Sequence, residues 1–169
     1  LSLTLLIDLF RLETDSNRAI DLAGDMGDLA EDLLLSGEYA DALEVIRVVA
    51  DAARDPQAIA RHACRQALDA LADSPAVHEA IVLLDEMAYD EYYLFRSVCV
   101  LIGPSSVDAL QTTLHIETLT RAGVRASDII VAIGASAVGR LAPLVGHPAW
   151  FAQRNAARLL GRIGSSEAV

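Results

Sequence analysis

Three arginines on one predicted helix have the chemistry and the spacing to bind an anionic partner. Arg154, Arg158 and Arg162 follow one another at intervals of four residues, so on a helix their side chains form one basic stripe. Guanidinium groups hold carboxylates and phosphates through pairs of N–H donors. Two further arginines, on the preceding helical segment, extend this predicted partner-binding surface: Arg121 and Arg125.

The same arginines also have a structural interpretation. An arginine near the C-terminus of a helix complements the helix dipole, and its aliphatic stem packs over apolar neighbours. The sequence leaves both interpretations open.

Carboxylates are abundant, but their positions do not favour catalysis. General acid–base chemistry needs two carboxylates in a dry cleft with well separated pKa values. Here they fall on the polar sides of amphipathic helices, so we predict a solvated acidic face, whose partner, if it has one, is basic. The groups are Asp25 with Asp28 and Asp32, Glu31, Asp85 with Glu86, and Asp90 with Glu91.

Two short motifs lack the spacing that metal binding or nucleophilic catalysis requires. His62 and Cys64 are two residues apart, so on a helix they point to nearly opposite sides. Ser136 lies between Gly134 and Gly139, which is not the Gly-x-Ser-x-Gly spacing of a nucleophile turn, and no strand precedes it. The sequence therefore predicts no metal site, no catalytic residue and no cofactor.

Aromatic residues cluster around one predicted helix start. Tyrosine is common where one end of the ring is buried and the other is wet, including at protein interfaces. We predict core packing for this cluster, with an interface as the alternative. Its members are Tyr89, Tyr92, Tyr93 and Phe95.

The charge of the chain is strongly acidic and unevenly placed. The 169 residues carry a net charge of −11. Residues 1–91 hold 20 acids and 6 arginines, a net charge of −14, whereas residues 92–169 hold 4 acids and 7 arginines, a net charge of +3. An acidic surface repels nucleic acids and anionic membranes, which makes both unfavourable partners. The polarity also predicts that the chain either orients a partner or associates weakly, head to tail, with other copies of itself.

The composition predicts packed helices in a reducing compartment. Hydrophobic residues make up 53% of the chain but aromatic residues only 5%, and small or straight-chain apolar residues favour helices. Cys64 and Cys99 lie in apolar helical stretches, which is typical of buried thiols in a cytoplasmic protein. No run reaches the roughly 18 uninterrupted apolar residues of a membrane span, so we expect no membrane association.

One phrase recurs about every thirty residues and is predicted to end helices. Its central position is held by Asp73, Gly103, Gly134 and Gly164, which follow one another at nearly equal steps. Glycine there can adopt the left-handed conformation that closes a helix end. Such a period in helical segments is typical of stacked arrays of helix pairs. The four copies span residues 71–77, 101–107, 132–138 and 162–169.

Helical periodicity runs almost throughout the chain. Thr118–Val124 is predicted either to begin the helix that follows or to form a longer loop, and Pro143 is expected near a helix N-terminus or at a kink. After an apolar stripe at 3–10 and a long helix ending at Ser36-Gly37, the predicted helices are Tyr39–Ala53, Ile59–Leu71, Pro75–Ala88, Glu91–Ile102, Ser105–His115, Arg125–Ile133, Ala137–Leu144 and Pro148–Ile163.

Residues 148–164 resemble the second helix of a HEAT repeat. The shared pattern is a turn with proline, an aromatic residue, arginine, small residues and then Leu-Gly-x-Ile-Gly, here from Pro148 through Trp150 and Arg154 to Gly164. The resemblance covers about Pro56 to Val169. It implies a right-handed α-solenoid of antiparallel helix pairs, with a concave protein-binding surface lined by the inner helices. It also implies that arginine at the position of Arg154 often donates a hydrogen bond between repeats.

These observations lead to one expectation and one alternative. We expect a single all-α domain over 1–169, with divergent helices at 1–55 and HEAT-like repeats at 56–169, cut from a longer protein. Its expected function is that of a non-catalytic scaffold for an unknown protein partner. HEAT-like folds also include enzymes and nucleic-acid binders, so the alternative is a nucleic-acid-processing enzyme or binder similar to a DNA glycosylase.

Overall fold

In the computed structural model, which describes residues 3–115 and 120–167, the chain is all-helical, and no strand occurs in those two ranges. This confirms the all-α prediction. The α-helices are α1 (Leu3–Leu12), α2 (Ser16–Leu35), α3 (Tyr39–Arg54), α4 (Arg61–Ala72), α5 (Pro75–Val82), α6 (Tyr89–Ile102), α7 (Ser106–Leu110), α8 (Arg121–Ile133), α9 (Val138–Leu141) and α10 (Trp150–Glu167).

Side-chain caps set several of these helix starts. Asp15 accepts a hydrogen bond from the backbone N–H of Arg18 before α2, and Ser74 accepts one from Val77 at the start of α5. Thr120 caps α8 in the same way, so α8 begins four residues before the predicted start at Arg125. Each cap satisfies an N–H that the helix itself leaves without a partner. Of the stretch Thr118–Val124, residues 118 and 119 lie outside the described ranges.

Helices α5, α7 and α9 are shorter than the sequence predicts. Each passes into or between 3₁₀ turns instead of continuing as an α-helix, and tight turns of this kind commonly end short helices. Pro143 is near the N-terminus of its 3₁₀ turn, as expected. Within residues 3–115 and 120–167 the 3₁₀ turns are Leu83–Asp85, Gln111–His115, Gly134–Ala137 and Ala142–Gly146.

Two of the four repeated phrases make the same backbone turn. Gly103 has φ 86° and ψ −146°, and Gly134 has φ 77° and ψ −148°. The predicted positive φ is confirmed, but ψ lies in a region that only glycine occupies, not in the left-handed helical region. Asp73 has φ −91° instead, since its Cβ excludes that region.

The prediction of a helix end at Gly164 is wrong. Helix α10 continues through this residue to Glu167. A glycine inside a helix costs only about 1 kcal/mol relative to alanine, so the residue alone does not stop a helix.

The helices pack in two rows. Along one row α3, α6, α8 and α10 contact one another in that order, and along the other α2, α5, α7 and α9 do so. Helix α4 packs against α2 and α3 and also contacts α6 and α7. The buried core runs through both rows, and the edge-to-face contact of Tyr39 with Phe95, 6.1 Å between ring centroids, joins α3 to α6.

A side-chain hydrogen bond recurs between successive helix pairs. Arg125 on α8 donates to the carbonyl of Leu84, and Asn155 on α10 donates to the carbonyl of Leu114. The two donors are as far apart in the sequence as the two acceptors, and this separation is one period of the repeated phrase. On α10 the donor of this recurring bond is Asn155, the residue after Arg154.

One stretch has the length and composition of a membrane span. Within Arg121–Gly146 the mean hydropathy of an 18-residue window reaches 1.8, and 28% of that window is buried. This is weak evidence for a span, because α8 itself has 13 residues and a bilayer needs about 20 in one helix. The turn at Gly134 separates α8 from the residues that follow.

Candidate functional site

A groove of about 560 Å³ crosses α6, α8 and α10. It lies along one of the two helix rows, and arginine and tyrosine side chains dominate its wall. We call it the Tyr–Arg groove and define it by Tyr89, Tyr93, Arg96, Arg121, Asp128 and Arg162.

Two exposed tyrosines form one wall of this groove. Tyr89 and Tyr93 are one helical turn apart on α6, with their ring centroids at 4.6 Å and their hydroxyl oxygens at 2.7 Å. Their exposed fractions are 67% and 44%. The hydrogen bond with Tyr93 raises the pKa of Tyr89, and a phenol hydroxyl can either donate or accept a hydrogen bond.

The predicted core packing holds for the other half of the aromatic cluster. Tyr92 and Phe95 are buried, and burial raises the pKa of the Tyr92 hydroxyl. Because Tyr89 and Tyr93 share one face of α6 and the other two residues lie on a different face, the cluster divides into an exposed pair and a buried pair. The buried Tyr92 also lines the groove.

Arg125 lines the groove but is buried. Its Nη1 donates to the carbonyl oxygens of Leu84 and Met87 at 2.6 and 2.7 Å, and its guanidinium lies 4.7 Å from the centroid of the Tyr92 ring. Only 6% of the residue is exposed. The structure therefore gives this predicted partner-binding residue a structural task, closing the end of the preceding 3₁₀ turn and supporting the groove.

Arg121 and Arg96 present their charges to the groove. Arg121 is exposed at the first turn of α8, and Arg96 is half-buried on α6. Neither forms an ion pair with an acid within the described part of the chain. Arg96 was absent from the predicted site, although its spacing of three from Tyr93 places both on one face of a helix.

The three arginines of α10 have different surroundings. Arg162 lines the groove and forms an ion pair with Asp128 of α8 at 2.7 Å, with both side chains about half exposed. Arg154 lies over the Trp150 ring, 4.9 Å from its centroid, and contacts Asn155. Arg158 is exposed. The stripe therefore extends from the groove to Trp150.

Three further residues belong to the motifs considered for metal binding or nucleophilic catalysis: His62, Cys64 and Ser136. Cys64 is buried and His62 exposed, so the two face apart as predicted, and burial raises the pKa of the Cys64 thiol to about 11. Burial also raises the pKa of Cys99. Ser136 donates to the carbonyl of Ile133 as a helix cap. Over the described residues, no group of three or more His, Cys, Asp or Glu side chains is placed to hold a metal ion.

Comparison with known proteins gives little beyond this geometry. The sequence matches no protein-family model and no curated protein. Among solved structures, one similar chain is an engineered protein from a structural genomics consortium, 17% identical, with a TM-score of 0.37. The match covers 95% of this chain and 78% of that one. A likeness at this level carries no functional argument.

Proposed function

We propose that this chain is a non-catalytic interaction scaffold that binds an acidic segment of a partner protein in the Tyr–Arg groove. In this proposal the two helix rows are the layers of a right-handed, HEAT-like α-solenoid, and the groove belongs to its inner surface. The protein acts in the cytoplasm, where buried thiols such as Cys64 stay reduced.

The repeated contacts between helix pairs support the solenoid. Arg125 and Asn155, one sequence period apart, reach equivalent carbonyls of the preceding unit. Gly103 and Gly134, also one period apart, make the same turn. In a repeat array each unit contacts its neighbours through equivalent positions, which is the pattern of these bonds.

The observation that carries the binding proposal is a pair of arginines, with no acidic partner among the described residues, beside two exposed tyrosines. Arg96 and Arg121 offer N–H donors to carboxylates, and Tyr89 and Tyr93 offer apolar ring surface together with hydroxyl donors. Tyrosine and arginine are also the residue types enriched at protein interfaces. An extended segment carrying Asp or Glu side chains matches this combination.

Charge favours a protein segment over a nucleic acid. A nucleic acid presents one phosphate after another, and its binding grows with the number of basic contacts. Two of the groove's arginines are already engaged, since Arg125 donates to backbone carbonyls and Arg162 is paired with Asp128. The whole chain also carries a net charge of −11. A short acidic peptide needs only a few contacts with arginine side chains. It also keeps the rest of the partner protein away from residues 1–91, the acidic part of the chain.

The test is fluorescence anisotropy with a labelled, glutamate-rich peptide and, in parallel, a labelled oligothymidine. We expect the peptide to bind at low salt and Arg96→Glu/Arg121→Glu to weaken it at least about tenfold. The matched control, Arg11→Glu/Arg18→Glu, changes the net charge equally on α1 and α2 and leaves binding within about twofold. Circular dichroism checks that all variants stay folded.

Each result decides between the alternatives. Equal losses in both double variants would mean that only net charge matters and would overturn the groove. Binding of oligothymidine without the peptide would replace the proposal by the nucleic-acid alternative. No binding of either probe at low salt would overturn an anion-binding groove altogether.

A further inference from the structure

A second groove, between α2 and α4, has an apolar floor and an acidic rim. Its volume is about 360 Å³. The two helices approach closely, since a Cβ placed on Gly27 would lie 3.3 Å from the Cβ of Ala67. Ile20 lines the groove and is 47% exposed, and the carboxylates of Asp28 and Glu31 line the same groove. We call it the α2/α4 groove.

A row of carboxylates on α2 includes one residue of this groove. Asp21, Asp25, Asp28 and Asp32 follow at intervals of four, three and four residues, which places them on one face of α2. All four are exposed, and Asp28 among them lines the groove. None of these carboxylates forms an ion pair within the described ranges. The charge attracts a basic partner, and the apolar floor can bury an apolar side chain.

Helix α10 carries the complementary combination, exposed apolar surface beside positive charge. Trp150 is 56% exposed and carries the guanidinium of Arg154 on its ring, with Arg158 exposed on the next turn. Tryptophan and arginine dominate binding energy when they enter a desolvated pocket. We call Trp150, Arg154 and Arg158 the Trp150 knob; it combines apolar surface with positive charge.

We infer that the α2/α4 groove of one copy receives the Trp150 knob of a second copy. The knob is apolar and basic where the groove is apolar and acidic, and the same polarity separates residues 1–91, at −14, from residues 92–169, at +3. The Tyr–Arg groove plays no part in this contact, so the inference stands independently of the proposed function.

The contact joins two different surfaces, so it is heterologous. Each copy that docks its knob still presents an empty groove, and a copy with a filled groove still presents its knob. Such contacts extend into open chains unless the rotation closes a ring. Self-association is therefore expected to grow steadily with concentration instead of stopping at a dimer, and to weaken with salt.

Light scattering coupled to size-exclusion chromatography tests this at low salt over a range of concentrations. The wild type is expected to rise well above the monomer mass of 18.0 kDa. Arg154→Glu/Arg158→Glu and Asp28→Arg/Glu31→Arg are each expected to remain monomeric. Mixing these two variants should restore association, because each supplies the charge that the other has lost. Asp41→Arg/Glu44→Arg on α3, with the same charge change as the groove variant, should associate like the wild type.

Two neutral variants test the apolar part of the contact. Trp150→Ala is expected to weaken association at least about tenfold. Gly24→Leu projects into open space within the groove, where a Cβ meets nothing within 4 Å, so it fills the groove without straining the fold and should also abolish association. A monomeric wild type at high concentration and low salt would overturn the inference. So would failure of the mixture to restore association, or full association of Gly24→Leu.

Discussion

The α2–α4 region and the α5–α10 region differ in what joins one helix to the next. Helices α2 and α3 have 20 and 16 residues and, together with α4, bury many apolar side chains, among them Met26, Ile46 and Leu68. Arg61 and Arg65 of α4 also donate to the carbonyl of Ala53 on α3, but at the longer distances of 3.4 and 3.3 Å. Helices α7 and α9 have 5 and 4 residues. There, side-chain hydrogen bonds and ion pairs such as Arg125 to Leu84 and Arg140 to Asp108 link successive units.

Helix length explains the difference. A long amphipathic helix buries enough apolar surface to fix its own position. A helix of one turn buries little and leaves carbonyls at its end without intrahelical partners. In the α5–α10 region, donors from the next unit satisfy such carbonyls, those of Leu84, Met87 and Leu114. Polar contacts therefore set the register between helices where short helices bury little apolar surface.

The largest expected effect is in the apolar region. Met26 is fully buried on α2, so Met26→Ala should lower the free energy of unfolding by about 3 kcal/mol through lost burial and the cavity left behind. Urea denaturation gives the value, which should be the same at low and high NaCl. Ile20→Ala, on the same helix but about half exposed, is the control and should change stability by less than about 1 kcal/mol. A strong dependence of the Met26→Ala effect on salt would contradict the view that apolar packing joins the helices of the α2–α4 region.

The next effect tests the buried arginine of the polar region. Arg125→Met keeps most of the side-chain volume but removes the donors to Leu84 and Met87, so unfolding should become easier by about 2 kcal/mol. The effect should persist in high salt, because water and ions do not reach a buried guanidinium. Urea denaturation at two NaCl concentrations measures both points. A loss smaller than that of a single weak hydrogen bond, about 0.5 kcal/mol, would mean that apolar packing alone holds this region as well.

Sequence periodicity was sufficient to predict the helices because it reports which faces are apolar. The all-α class and most helix positions follow from it. The positive φ at Gly103 and Gly134 was predicted instead from the glycines of the recurring phrase. It could not predict that α7 and α9 stop after one turn, since their residues are compatible with longer helices. Nor could it predict that α10 passes through Gly164, because glycine permits a helix end without imposing one.

The candidate site was predictable only in part, because its residues come from three helices. Arg121 and Arg162 were predicted and line the Tyr–Arg groove. Arg125 has the same residue type but is buried, and only the position of Leu84 and Met87 in space distinguishes it. Arg96 was missed because no other basic residue lies near it in the sequence. A pattern along one helix cannot reveal neighbours on another.

A smaller effect is expected at the second copy of the recurring bond. Asn155 is half-buried and donates to Leu114 at 3.0 Å, so Asn155→Ala should cost about 1 kcal/mol, typical of one neutral hydrogen bond. Arg158→Ala, an exposed change on the same helix, is the control and should be close to neutral. Equal effects of the two substitutions in urea denaturation would remove Asn155 from the set of contacts that set the register.

The smallest effect belongs to the exposed ion pair between α7 and α9, and its salt dependence distinguishes the two regions most directly. Arg140 and Asp108 are in contact, but their side chains are 49% and 42% exposed, so water screens their attraction. A double-mutant cycle with Arg140→Ala and Asp108→Ala should give a coupling of about 0.5 kcal/mol at low salt. In about 0.5 M NaCl the coupling should vanish, since the Debye length then approaches the size of the pair itself. A hydrogen bond to a charged group contributes about 2 kcal/mol. A coupling of that size that persists in high salt would show that this contact is as strong as the buried one at Arg125. Exposed polar contacts would then also fix the positions of the short helices.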